Sequence, residues 1–481
     1  MIKKFLNSKV LMALLFTASL SSCKKDFGDM NINPANPSPT ELRTRMLLAN
    51  AQLSIPGIFF GNNTANFYAQ YLSEGPYPGA SWYNTVNFDW GATYTGPLYD
   101  LKQILKFVDA SAPETAGGGD LANQKAVATI LSCQYYNWLT DRFGAIPYSQ
   151  SLDITNLAPA YDLQQAVYDD LFKKLTEAVA MINTSAVGVQ GDLMFAGNML
   201  RWKKFANTLR MDMALRISNV DPTRGKTEFA AAIADAAATI QSNADNMTWA
   251  YNSAATTFYN PWYSNYTVSA RNDYAISKTL TDYMLPKNDR RITAYAESLS
   301  GSYVGLPYGV AGAVNIPGTY SRIGDPFRQM TSPARLYNYP QVLFMMAEAY
   351  KIGYISGGDA SAATAYANAI RASWEMNGVY NATDYNAYMA QVPYDAANAV
   401  KQIITEKWVH NYLNGNAAWN DWRRTGFPVL TPAPATANLG GIPVRQAYAT
   451  SEPNINKAAY DAAVAAQGKD DLNTRLWWDT N

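Results

Sequence analysis

The sequence predicts a mainly α-helical, single-domain protein built of tetratricopeptide-like helical hairpins with long irregular loop insertions. Three observations predict it. Apolar residues recur at three- and four-residue spacing over seven segments, these segments come in pairs with short connections, and strand-like alternation is sparse. No strict repeat of the roughly 34-residue tetratricopeptide kind recurs, so the expectation rests on helix pairing.

Taken in order, residues 121–139 place Val127, Ile130, Leu131, Tyr135, Trp138 and Leu139 on one helical face, and residues 162–182 do the same with Leu163, Val167, Leu171, Leu175 and Ile182. Residues 199–217 align Trp202, Phe205, Leu209, Met213 and Ile217, and an Ala-rich helix is expected over 227–241. Further helices are expected at 339–352, 360–376 and 397–413, with Asp162 and Asp359 as candidate N-caps. Between the pairs lie insertions at 74–97, 244–275, 298–333 and 426–455, long enough to imply function or a packed excursion.

The N-terminus reads as a leader. Lys3, Lys4 and Lys9 precede an apolar run from Val10 to Leu20, too short for the roughly 20 residues that span a bilayer. Leu20-Ser21-Ser22-Cys23 then has the order of a bacterial lipobox, in which the cysteine is lipidated and becomes the new N-terminus. An ordinary secretory signal ending near a cysteine is the alternative. The expected organisation is a signal peptide over 1–22, a lipidated Asn- and Pro-rich tether over 23–40, and the helical body over 41–481.

Composition excludes several classes. Cleavage would leave 35 basic against 38 acidic residues, which suits neither nucleic acid nor a polybasic membrane surface. With Cys23 lipidated, Cys133 has no disulfide partner and is expected as a buried small hydrophobe. His410 is the only histidine and sits in a helix, so His-pair metal sites are out and core packing is its expected role. There is no phosphate-binding glycine loop, and no cofactor or metal is expected. Asp29-Met30-Asn31-Ile32-Asn33 imitates the start of a calcium loop, but Pro34 stands where the turn glycine belongs and Thr40 where the bidentate Glu belongs. A pair of carboxylates for glycoside hydrolysis cannot be chosen from spacing.

The positive signal is aromatic. EGPYPGASWYNTVNFDWGATY carries Tyr77, Trp82, Tyr83, Phe88, Trp90 and Tyr94; TWAYNSAATTFYNPWYSNY carries Trp249, Tyr251, Phe258, Tyr259, Trp262, Tyr263 and Tyr266. The rings follow neither helical nor alternating periodicity and are interleaved with Asn, Ser, Thr and Gly. Flat sugar faces stack on such rings while amides and hydroxyls bond the sugar hydroxyls. The alternative is that the rings fasten the loops to the helices. The ligand candidates are Trp82, Tyr83, Trp90, Trp249, Tyr259, Trp262, Tyr263 and Tyr266, with Trp82, Tyr83, Trp262 and Tyr263 expected to face a common surface.

Several segments, in order, resemble the SusD/RagB family of nutrient-binding outer-membrane lipoproteins, in its SusD-like branch. They are Cys23 to Phe27, Asn33 to Pro37, Trp138 to Gly144 with Ile146 to Ser149, WKKFANTLRMDMALR at 202–216, Met345 to Ala349, AWNDWRRTGFPVL at 418–430, IPVRQAY at 442–448, and Trp477-Trp478-Asp479. Most read as fold signatures: Trp419, Trp422, Trp477 and Trp478 are expected to pack the C-terminal segment onto the helices, with Arg423 and Arg424 bonding carbonyls or carboxylates. The resemblance implies a helical lid over a TonB-dependent (SusC-like) outer-membrane transporter. It implies capture of oligosaccharides, or in some members peptides, without chemistry. Lys25-Asp26 resembles the short signal that sends such lipoproteins to the cell surface, although a second adjacent acid is missing. A peptide-binding member remains an alternative, supported by Arg271, Asp273, Asp289, Arg290 and Arg291, as does a lipid-anchored glycoside hydrolase.

Overall fold

A computed structural model describes residues 41–60 and 64–481. The leader, Cys23, the tether and the calcium-like stretch at 29–33 lie outside the described residues. Thr44–Asn481 form one unit dominated by helices: α1 (Thr44–Leu53), α2 (Tyr99–Asp109), α3 (Leu121–Phe143), α4 (Gln164–Met181), α5 (Met199–Arg216), α6 (Pro222–Ala232), α7 (Tyr339–Lys351), α8 (Gly358–Met376), α9 (Ala399–His410), α10 (Gly415–Thr425) and α11 (Lys457–Gln467). Sequence neighbours pack as hairpins, α3 on α4, α5 on α6 and α7 on α8. The strands are short and make three two-stranded antiparallel ribbons, in chain order β1 (Leu72–Glu74) with β5 (Tyr274–Ile276), β2 (Ile146–Pro147) with β3 (Tyr161–Asp162), and β4 (Met247–Trp249) with β6 (Ala334–Tyr337).

Local chemistry sets the helix ends. Asp120 accepts the Asn123 N–H at the start of α3, and Gly144, at φ 82°, ends it in a conformation open to glycine. Asn338 and Gln341 form a reciprocal capping box on α7. Two expected caps are corrected. Asp162 lies in β3, where its carboxylate accepts the Ser149 N–H and hydroxyl, and α4 starts two residues later. Asp359 sits inside the first turn of α8, bonded to Lys351 Nζ and Tyr394 O–H. The Ala-rich helix is displaced from 227–241 to Pro222–Ala232, because Asp221 caps it and Pro222 suits the first turn; Ala236–Ala238 form only a 3-10 turn. Helices α1, α2, α10 and α11 were not anticipated, although Leu101, Ile104 and Val108 give α2 a readable buried stripe.

The predicted core stripes of α3 and α5 are buried, apart from half-buried Trp138; in α4 Leu163 is exposed, since it precedes the first turn. Helix α5 is buried on nearly all sides, and its buried cations are paired: Lys204 with Asp245 at 2.7 Å, Arg210 with Glu228 at 2.5 Å and Arg216 with Asp212 at 2.8 Å. Cys133 is buried as expected, and burial pushes its thiol up to about 12. His410 is also interior. Asn338 Oδ1 already accepts the Gln341 N–H, so His410 Nε2–H must donate to it (2.7 Å) while Nδ1 accepts from Ser373 (2.9 Å). Burial, then the nearby Arg291, hold this imidazole neutral, well below the usual histidine range.

The C-terminal segment is anchored as expected. Trp419 and Trp478 are fully buried, Trp422 and Trp477 half-buried. The Arg423 guanidinium lies 3.6 Å from the Trp419 ring centre and 4.6 Å from that of Trp478, and donates to the Val444 carbonyl. Arg424 makes a two-pronged bond to Glu348 of α7 at 2.6 and 3.0 Å, with both side chains interior. Breaking that pair strands a buried charge. Arg424→Met should therefore destabilise the fold by about 3–5 kcal/mol, whereas Arg424→Met with Glu348→Met should recover most of it. Equal losses in chemical denaturation of the single and double variants would show that the pair does not carry this energy.

Candidate functional site

The β1/β5 ribbon brings the two ring-rich loops together. Leu72 pairs with Ile276 and Glu74 with Tyr274, and the Gly75 N–H extends the pairing to the Asp273 carbonyl. The first loop leaves β1 just where the second enters β5. Gly75 is required by close approach: a Cβ there would lie 2.7 Å from Ile316 Cγ1 and 2.8 Å from the Val314 carbonyl oxygen, where the third insertion crosses.

Glu74 then folds the first loop back on itself. Its Oε2 accepts the N–H groups of Ala80 (2.7 Å) and Ser81 (3.1 Å). This turn presents Trp82, whose indole N–H donates to the Val310 carbonyl (2.8 Å) and whose own carbonyl accepts the Ala437 N–H (2.7 Å). The first, third and fourth insertions thus meet at one half-exposed tryptophan. The second joins through Arg271, bonded to Asp273 at 2.7 Å with its guanidinium 5.6 Å from the centre of the Tyr77 ring. Tyr77 is 69% exposed, its ring meeting only this guanidinium among the aromatic and cation contacts of the described residues.

The other candidate rings divide into two sets. Tyr83 and Trp262 turn inward, at 2% and 6% exposure, so the four rings expected on one surface are split between surface and interior. Tyr83 adopts a left-handed backbone (φ 60°) and packs edge-on against Tyr68. Trp262 is turned in because Asn260 caps the Trp262 and Tyr263 N–H groups and ties this turn to the Ser332 carbonyl; its ring meets Tyr274 edge-on at 5.7 Å. Trp90 is buried among Phe143, Tyr161 and Tyr448, and Trp249 in the main core. Tyr266 is buried too, its hydroxyl donating to the Tyr274 carbonyl. Tyr259 and Tyr263 keep half-exposed faces in an edge-on pair 5.6 Å apart, next to exposed Phe258.

The charged residues also sort. Asp289 and Arg291 are interior, joined to Glu406 through Arg291 at 2.7 Å, and so unavailable to any peptide on the surface. Arg290 pairs with Asp384 at the exterior, and the exposed Arg271 pairs with Asp273, which is itself buried. Tyr77 counts among the loop rings but not among the eight ligand candidates, Arg271 enters only through the peptide alternative, and Glu74 carries no expected role. The Pro-Gly setting of Tyr77 was the one signal that could have marked it as exposed; the roles of the other two depend on strand pairing. Among the described residues, no cluster of three or more His, Cys, Asp or Glu is placed to hold a metal, and no helix is long and apolar enough to cross a membrane.

With this arrangement in view, the chain belongs to the SusD-like_2 family, described as starch-binding and associating with the outer membrane, whose model matches residues 35–449. It is similar to the solved structure of a chitin-binding protein at 26% identity, with a TM-score of 0.78 over 91% of this chain and 100% of that one. A SusD homologue from Bacteroides uniformis is likewise 26% identical, with a TM-score of 0.76 over 91% and 99%. A chitin-binding SusD homologue from Flavobacterium johnsoniae, 24% identical, shares the fold at a TM-score of 0.73 over 91% and 97%. A search of curated proteins finds no match.

Burial, with a smaller contribution from Asp273, pushes the Glu74 carboxyl up to about 7 against the bonds from Ser81 and Ala80. A raised carboxyl means the folded state holds the extra proton between the unfolded value of 4.5 and about 7. Stability from this group is therefore full below the lower value and lost as pH rises through the upper one. Subtracting the pH–stability profile of Glu74→Gln from that of the wild type should leave a curve falling across this window; a flat difference would remove Glu74 as its source.

Proposed function

We propose that this protein captures oligosaccharides at the outer membrane, without chemistry, on the surface formed by Tyr77, Trp82 and Arg271, and passes them to a TonB-dependent (SusC-like) transporter. The observation that carries the reading is that the third and fourth insertions meet the first at Trp82 while the second reaches the same loop at Tyr77 through Arg271, which leaves Tyr77 exposed and Trp82 half-exposed beside polar side chains. Family membership and two chitin-binding structural relatives support a glycan as the ligand class. Residues 1–22 act as the signal peptide, Cys23 carries the lipid and residues 23–40 tether the body over 41–481 outside the cell. Tyr259 and Tyr263 extend the ring surface, while Tyr83, Trp262 and Tyr266 pack together in the core beneath the loops and Trp90 and Trp249 belong to the main helical core.

Arg271 favours a second reading, a peptide-binding member, since its half-exposed guanidinium beside Tyr77 could take a carboxylate. Glu74, with Asp273 near it, is occupied in clamping the turn, which disfavours hydrolysis by this pair. Calorimetric titration with chito- and malto-oligosaccharides and with an acidic peptide pool separates the readings. Trp82→Ala should weaken glycan binding by about 1–3 kcal/mol, or about 5- to 150-fold in Kd, with little change in melting temperature. Trp262→Ala should instead lower the melting temperature. Binding of peptides alone, or release of reducing ends by the wild type, would overturn the proposal.

A further inference from the structure

A second polar feature lies apart from the ring surface, beneath the Trp138–Gly144 motif. A cavity of about 50 Å³ is lined by Asn137, Trp138, Arg142 and Asn416 together with Asp141 and Asp212. That volume has room for an ion and a few waters, since one water needs roughly 10–15 Å³. Arg142 is 3% exposed, yet its Nε and Nη1 have no hydrogen-bond partner, and neither do Trp138 Nε1, Asn137 Nδ2 or Asn416 Oδ1. Four of these five unmatched atoms are nitrogen donors.

The charge balance points the same way. Asp141 and Asp212 turn to Arg216, at 3.8 and 2.8 Å, and Asp141 also accepts from Tyr168 and Trp478. Neither pairs with Arg142. The guanidinium instead lies 4.3 Å from the centre of the Trp138 ring, and stacking returns only part of the hydration that a buried cation gives up. Burial lowers its pKa only to about 9, which leaves it protonated at neutral pH. Water could fill the space, but it would bring no counter-charge.

We propose that this cavity is a binding site for one small monovalent anion of halide or formate size, held by Arg142, Trp138 and Asn137. The ion neutralises the arginine in the cavity that α3 and α10 both line, and is a structural component of the fold separate from ligand capture.

The test uses the whole protein with bromide as probe. Crystals grown in bromide should show an anomalous peak within hydrogen-bonding distance of Arg142 and Trp138 Nε1. In solution, bromide or chloride should raise the melting temperature saturably relative to sodium gluconate at equal ionic strength, because gluconate is too large for the cavity. Arg142→Gln should lose both the peak and the shift. Should that variant not fold, Trp138→Phe keeps the cation and a ring but removes one donor, and should raise the midpoint of the bromide response by about tenfold or more. Density that behaves as water alone, bromide at crystal concentration only with no shift in solution, or an unchanged response in the variants would each overturn the proposal.

Discussion

The fold depends on a buried set of charges that must be satisfied together. Arg424 and Asp421 of α10 meet Glu348 of α7 and Lys407 of α9, with Arg424–Glu348 at 2.6 Å and Lys407–Asp421 at 2.9 Å. A few residues away, Asp141 of α3 accepts from Tyr168 of α4 and from Trp478 near the C-terminus, and lies 3.8 Å from Arg216 of α5. Each ion is expensive to bury alone and tolerable only with its partners in place. Six helices and the chain end are thereby held in one arrangement, which apolar packing by itself would specify less tightly. The motifs that read as fold signatures supply these charges, Lys407 excepted, and the tryptophans around them.

That rigid body gives the insertions something to lean on. The β1/β5 ribbon is only three residues long in each strand, yet it joins segments about two hundred residues apart and thereby places the two ring-rich loops side by side. Around it, backbone and side-chain bonds from Glu74, Trp82 and Asn260 decide which rings face in and which face out. An aromatic ring can perform either task with the same chemistry. Tyr266 turns in with its hydroxyl bonded to the Tyr274 carbonyl, whereas Tyr77 is left at the surface.

Much of the helical body was legible. The stripes on α3 and α5, the hairpin pairing, the burial of Cys133 and His410 and the roles of Arg423 and Arg424 all follow from periodicity, residue type and family resemblance. The failures have local causes. Asp162 has the chemistry of a cap, but a two-residue ribbon with Ile146–Pro147 takes it first. The Ala-rich segment has helical propensity throughout, but the cap and proline at 221–222 start the helix earlier than the alanines suggest. Arg291 reads as a surface cation and is instead interior, because Asp289 and Glu406 are both within reach.

The sequence by itself determined the class of fold, the leader-like pattern of the N-terminus, the single histidine and the two stretches in which rings concentrate, because each is a matter of composition or of spacing along the chain. Only the tertiary structure decided that Tyr77 and Trp82 keep exposed faces, with Arg271 against Tyr77, while Tyr83 and Trp262 turn inward, and that Arg142 is buried without a carboxylate partner. Those outcomes depend on which distant backbone groups and charges come within hydrogen-bonding range, and spacing along the chain does not encode that distance.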